Sequence, residues 1–123
     1  MVYRVLAALA WVLIVAGWTQ RRRSRRVHVA LALSGIAVDL TLVLILELQR
    51  DVVGQTFSKD WSAIQTTHIA TSAAAVVLYI PVVILGVLLL RNLAGAKLRK
   101  AHAITAMLAL FLRTIGFVCM WWI

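Results

Sequence analysis

Three histidines, His28, His68 and His102, are the residues of this apolar chain best able to do chemistry. His28 and His102 stand in matching settings, Arg25-Arg26-Val27-His28 and Arg99-Lys100-Ala101-His102, at an offset of 74 residues. Eleven residues after each comes a charge, Asp39 in one case and Arg113 in the other, and His68 is followed at the same spacing by Tyr79. At about 100° per helical residue, eleven residues return to within about 20° of the starting direction, so each pair shares one helix face. Small residues lie four and seven positions after each histidine: Ala32 and Gly35, Ala106 and Ala109, and, after His68, Ser72 and Ala75.

Histidines at matched depth on two helices, with small residues deeper on the same face, could supply two axial imidazoles and room for a flat macrocycle. A haem b held by His28 and His102 is one expectation, with nearby arginines for its propionates. The plainer alternative is that both rings bond lipid headgroups or cap helix starts. Copper would find an incomplete ligand set, since no cysteine or clear third ligand stands near the pair. His68 lies at a depth similar to that of Glu47 on the preceding span. It could complete a His/Glu metal site, donate to the carboxylate, or ligate a tetrapyrrole by itself.

Asp39, Arg113 and Tyr79 each fall about twelve residues from the same side of the membrane, near its centre. An isolated charge there costs about 2.5 to 3.5 kcal/mol on insertion scales, so Asp39 and Arg113 are expected to face each other as an ion pair, with Tyr79 donating a hydrogen bond. The alternative is a proton or ion relay, a ladder through His102, Asp39, Tyr79, Glu47 and His68. No serine elbow, phosphate-binding glycine loop, HExxH or CxxC appears, so hydrolase, ATPase and disulfide chemistry find no motif.

The elements that must position these residues follow from composition. Of 123 residues, 63% are hydrophobic and 14% charged, with mean hydropathy +0.97. A water-soluble domain of this size could not hide so much apolar surface. Four stretches, near 2–19, 27–49, 62–90 and 101–122, are long enough to cross a hydrocarbon core about 30 Å thick. They lack the alternation of barrel strands, so the expected fold is an all-α bundle of four transmembrane helices forming a single domain, with a repeat of two related hairpins. The third span exceeds the membrane's need and should tilt or project residues 61–67 beyond the hydrocarbon.

Charge sets the expected orientation. Nine of the 13 cations lie in two connections, 19–26 and 91–100, which hold no anion. Arg50, Asp51, Lys59 and Asp60 cancel in the connection between them. The positive-inside rule then places the basic connections in the cytoplasm and both termini outside. Anionic lipid headgroups are the expected partners of the basic clusters, and nucleic acid is not, because no stacking aromatics are interleaved with the cations. Trp11, Trp18, Trp61, Trp121 and Trp122 read as interfacial anchors. The first span is expected to remain as a helix instead of being cleaved, since its arginines follow the apolar run. Cys119, the one cysteine, leaves no internal disulfide and reads as a small buried hydrophobe.

The basic residue before His28, His68 at the entry to the third span, and Lys100-Ala101-His102 opening the fourth after a short basic loop give the chain a layout. That layout resembles the small four-helix membrane proteins of the CtaM/YozB type, associated with assembly of haem-copper cytochrome oxidases. The resemblance covers nearly the whole chain. It implies a helper or accessory subunit of a respiratory membrane complex that handles haem or copper. Where that family has a histidine at the outer end of the second span, this chain reads Glu47-Leu48-Gln49-Arg50, so a four-histidine metal site does not carry over intact.

The leading expectation is therefore an accessory or assembly protein of an electron-transfer complex in a bacterial inner membrane, with His28, His68 and His102 as candidate ligands. Its partners would be other membrane subunits or a second copy of the chain. The alternatives are a small cytochrome b, a proton-conducting or transporting bundle, and a cofactor-free or pigment-binding subunit of a larger respiratory or photosynthetic complex.

Overall fold

Apolar runs surrounded by lipid can satisfy their backbone groups only within a helix or a closed barrel, and here they form helices. The computed structural model describes residues 2–50, 62–91 and 95–122. The helices are α1 (Val2–Thr19), α2 (Arg25–Arg50), α3 (Ala63–Leu90) and α4 (Ala96–Trp122). All four are long and apolar enough to cross a membrane, and no strand occurs among the described residues. The chain is a multi-pass, all-α membrane protein. Asp51, Lys59, Asp60 and the expected anchor Trp61 lie outside the described residues.

Two helix starts differ from the sequence expectation. α2 begins at Arg25 instead of residue 27, and α4 at Ala96 instead of residue 101. Ala96, Lys97, Leu98, Arg99 and Lys100 are all good helix formers. Hydropathy marks where the hydrocarbon begins, whereas hydrogen bonding carries these helices further into the polar zone. α3 starts on a capping box: Ser62 Oγ accepts from the Gln65 backbone N–H at 3.2 Å, and Gln65 Oε1 accepts from the Ser62 N–H at 3.1 Å. The reciprocal bonds satisfy two donors that the first turn would otherwise leave unpaired. At 28 residues, α3 is about 42 Å long, more than the hydrocarbon core requires.

α1 packs on α2 and α3 on α4, giving two hairpins, and α1 also packs on α4. α2 meets α3 and α4 through side chains such as that of Asp39, with fewer close approaches than within either hairpin. Glycine makes the first hairpin tight. A Cβ on Gly35 would stand 2.6 Å from Ile14 Cγ1 and 3.0 Å from the Ala10 carbonyl oxygen, and one on Gly17 would stand 2.9 Å from the Ala32 nitrogen. Such close backbone approach is how small residues hold membrane helices together. At the far end of the same hairpin the Tyr3 hydroxyl donates to Gln49 Oε1.

Between α1 and α4, Trp11 stacks on Phe117 with ring centroids 5.1 Å apart, and its Nε1–H donates to Thr114 Oγ at 3.0 Å. Trp11 is therefore a brace inside the bundle, not an interfacial anchor: a mid-helix indole needs a partner for its N–H, and α4 provides one. Trp121 meets Phe117 edge-on at 6.0 Å, with the Arg4 guanidinium 5.5 Å from its own centroid. Ile36, Tyr79 and Ala109 form the small core where the hairpins meet.

Candidate functional site

The expected central layer is present and more completely bonded than its three residues alone would suggest. Asp39 is fully buried and Arg113 nearly so. Arg113 Nη2 donates to Asp39 Oδ1 at 2.7 Å, and the Tyr79 hydroxyl donates to Oδ2 at 2.6 Å. Each carboxylate oxygen thus receives one bond, from two different helices. Arg113 Nη1 donates in turn to Ser72 Oγ at 3.1 Å, while Arg113 Nε is buried without a hydrogen-bond partner.

The layer ties α2, through Asp39, to α3 and α4, which pack closely on each other. Removing one member of such a pair is expected to cost about 3 to 5 kcal/mol, because the other is left as an uncompensated buried charge. Spacing and depth pointed to Asp39, Arg113 and Tyr79. They marked Ser72 only as a small residue on the face of His68. Its hydroxyl role depends on Gly116: a Cβ there would come within 2.5 Å of Ser72 Oγ.

All three histidines share one hydrogen-bonding pattern, which was not legible in the sequence. His28 Nδ1 lies 2.8 Å from the carbonyl oxygen of Gly17 on α1, His102 Nδ1 lies 3.1 Å from that of Val82 on α3, and His68 Nδ1 lies 2.7 Å from that of Gly116 on α4. A carbonyl can only accept, so each Nδ1 carries the proton. In the neutral form of such a ring Nε2 carries the lone pair, the tautomer in which an imidazole binds a metal while its other nitrogen is oriented by the main chain.

Local structure explains each contact. Gly17 is in the last turn of α1, where carbonyls lack intrahelical partners, and His28 takes up part of that deficit beside the Gln20 N–H, which donates to the same oxygen. The His102 ring lies over Gly86, where a Cβ would stand 3.3 Å from its Cε1. Gly116 leaves its carbonyl open to the His68 ring for the same lack of a side chain.

His28 and His102 come from α2 and α4 at the same end of the bundle, that of the two basic connections. His68 is near the start of α3, at the opposite end. Its hydrogen-bond partner is Gly116, and Glu47 sits half-buried on α2. Among the described residues no group of three or more His, Cys, Asp or Glu side chains gathers as a metal site.

The small residues on the histidine faces serve helix contact. Gly35 is closed over by Ala10 and Ile14, Ala32 lies against Gly17, and Ala109 is in the core with Ile36 and Tyr79. A macrocycle laid over Ala32, Gly35 and Ala109 would meet the neighbouring helix, so a haem on His28 and His102 would have to sit in the seam between the hairpins instead. That seam lies at the basic end, where close approaches of α2 to α3 and α4 are few beside those within each hairpin. There the Arg25 guanidinium donates to the Leu89 carbonyl in the last turn of α3.

No family model matches the chain, and neither a curated protein sequence nor a solved structure matches it.

Proposed function

We propose that this chain is a small accessory protein of a respiratory electron-transfer complex in a bacterial inner membrane, with its basic end in the cytoplasm, and that it holds a haem b through His28 and His102. The carrying observation is the shared tautomer. Each ring gives its Nδ1 proton to a main-chain carbonyl of a neighbouring helix, which fixes the ring and leaves Nε2 as a lone-pair donor. The donor set suits a ferric or ferrous tetrapyrrole, which takes two axial imidazoles and needs no third protein ligand.

Bound there, a haem would supply one-electron chemistry. The protein's part is to hold and orient the two imidazoles and to provide cations at the bundle end for the propionates. Orientation with both termini outside follows from the arginines and lysines of the two basic connections.

A second reading is favoured by the same hydrogen bonds. Each histidine ties two helices together, so the rings would serve as straps of a cofactor-free membrane subunit, as Asp39 and Arg113 do at the centre. An absorption spectrum of the protein in mild detergent, as isolated and after dithionite, with metal analysis of the same sample, separates the two. A Soret band that shifts on reduction supports haem. A colourless, metal-free bundle that gives no bis-imidazole spectrum when haem is added supports straps alone.

A further inference from the structure

An open groove of about 540 Å³ runs along the start of α2 and the end of α3, lined by Arg25, Arg26, Val29, Ala30 and Leu90. It lies where α2 and α3, which belong to different hairpins, approach each other less closely than the helices within a hairpin do. Arg25 is held across it by its bond to the Leu89 carbonyl, and Arg26 is exposed beside it. The lining is almost wholly aliphatic, with Arg25 and Arg26 contributing mainly their carbon stems and their guanidinium groups standing at its edge. Connections 19–26 and 91–100 contain no Asp or Glu, so neither supplies a carboxylate to pair with the guanidinium groups.

We propose that this groove is a specific site for one anionic phospholipid, its phosphate on Arg25 and Arg26 and the upper part of an acyl chain along Val29, Ala30 and Leu90. Guanidinium groups bind phosphate through paired, charge-assisted hydrogen bonds, and basic pockets between transmembrane helices take anionic headgroups. A water-soluble phosphate would gain nothing from three aliphatic side chains. A zwitterionic lipid would bring a cation to a rim that is already cationic. The volume lies in the range of small-ligand clefts, about 300 to 1,000 Å³, while the openness of the groove suits a molecule whose remaining length stays in the bilayer. By filling the seam between the hairpins, the lipid would act as part of their packing. Neither His28 nor His102 lines the groove, so the site stands or falls apart from haem binding.

Native mass spectrometry of the delipidated full-length chain, titrated with phosphatidylglycerol, phosphatidylcholine or glycerol 3-phosphate, tests the assignment. One phosphatidylglycerol per chain is expected to survive gas-phase activation that strips phosphatidylcholine, with no retained glycerol 3-phosphate. Arg26→Gln should weaken that binding about fivefold. Ala30→Trp, which fills the groove without changing charge, should abolish it, whereas Arg22→Gln, which removes a charge outside the groove, should leave it intact. Circular dichroism and a melting curve on each variant establish that the bundle is folded. Equal retention of the two lipids, binding of glycerol 3-phosphate as tight as that of the lipid, or equal effects of Arg22→Gln and Arg26→Gln would each overturn the proposal.

Discussion

Arg113 and Asp39 meet at 2.7 Å in the middle of the bundle, and each is eleven residues beyond the histidine that opens its helix's polar face. The pair therefore sets the rotation of α2 against α4, and with it the direction in which His28 and His102 point. A midplane ion pair in this chain is a positioning device for the ends.

Asp39→Asn is expected to leave the Arg113 charge uncompensated and destabilise the bundle by about 3 to 5 kcal/mol. Adding Arg113→Gln should recover part of that loss, since two neutral amides can bond each other. The check is a set of melting curves in one detergent for the single and double variants. A double variant no more stable than Asp39→Asn would mean that the two side chains do not act as a pair.

Gly35 should be intolerant of any side chain. Its Cβ would stand 2.6 Å from Ile14 Cγ1 and 3.0 Å from backbone atoms of Ala10 and Ile14, so Gly35→Ala must spread α1 from α2 at a cost of about 1 to 3 kcal/mol. Gly95 has nothing within 4 Å of an added Cβ, which makes Gly95→Ala the matched control. Thermal stability of the two variants checks this, and an equal effect would contradict the tight α1–α2 contact.

The tautomer of the histidines can be read directly. In cofactor-free protein at a pH where the rings are neutral, ¹⁵N spectra of labelled imidazoles should show all three protonated at Nδ1 and not at Nε2. Gly86→Val, which crowds the His102 ring, should change the His102 signals and spare those of His68. A ring protonated at Nε2 alone would break the link between main-chain carbonyls and ligand-ready histidines.

The number of helices and the central layer were legible because both depend on periodicity. Apolar runs counted the spans, and the eleven-residue spacing of His28 and Asp39, His102 and Arg113, and His68 and Tyr79 put the central charges on the histidine faces. The partners of the rings were not legible. Main-chain carbonyls have no sequence signature, and the glycines beside them, Gly17, Gly86 and Gly116, look the same in sequence as glycines that only let helices approach. Ser72 was misjudged for a related reason, since size alone does not tell whether a hydroxyl faces an arginine. The early start of α4 escaped because basic residues end an apolar run without ending a helix.

The most direct test of the central claim is the reduced-minus-oxidised absorption spectrum of protein reconstituted with haem b, compared across the native chain and the His28→Gly, His102→Gly and His68→Gly variants. We predict a bis-imidazole spectrum with sharp α and Soret bands in the native protein. It should be lost in His28→Gly and His102→Gly, restored to each by added imidazole, and kept in His68→Gly. No haem spectrum in the native chain, or one that survives loss of both His28 and His102, would contradict the proposed function.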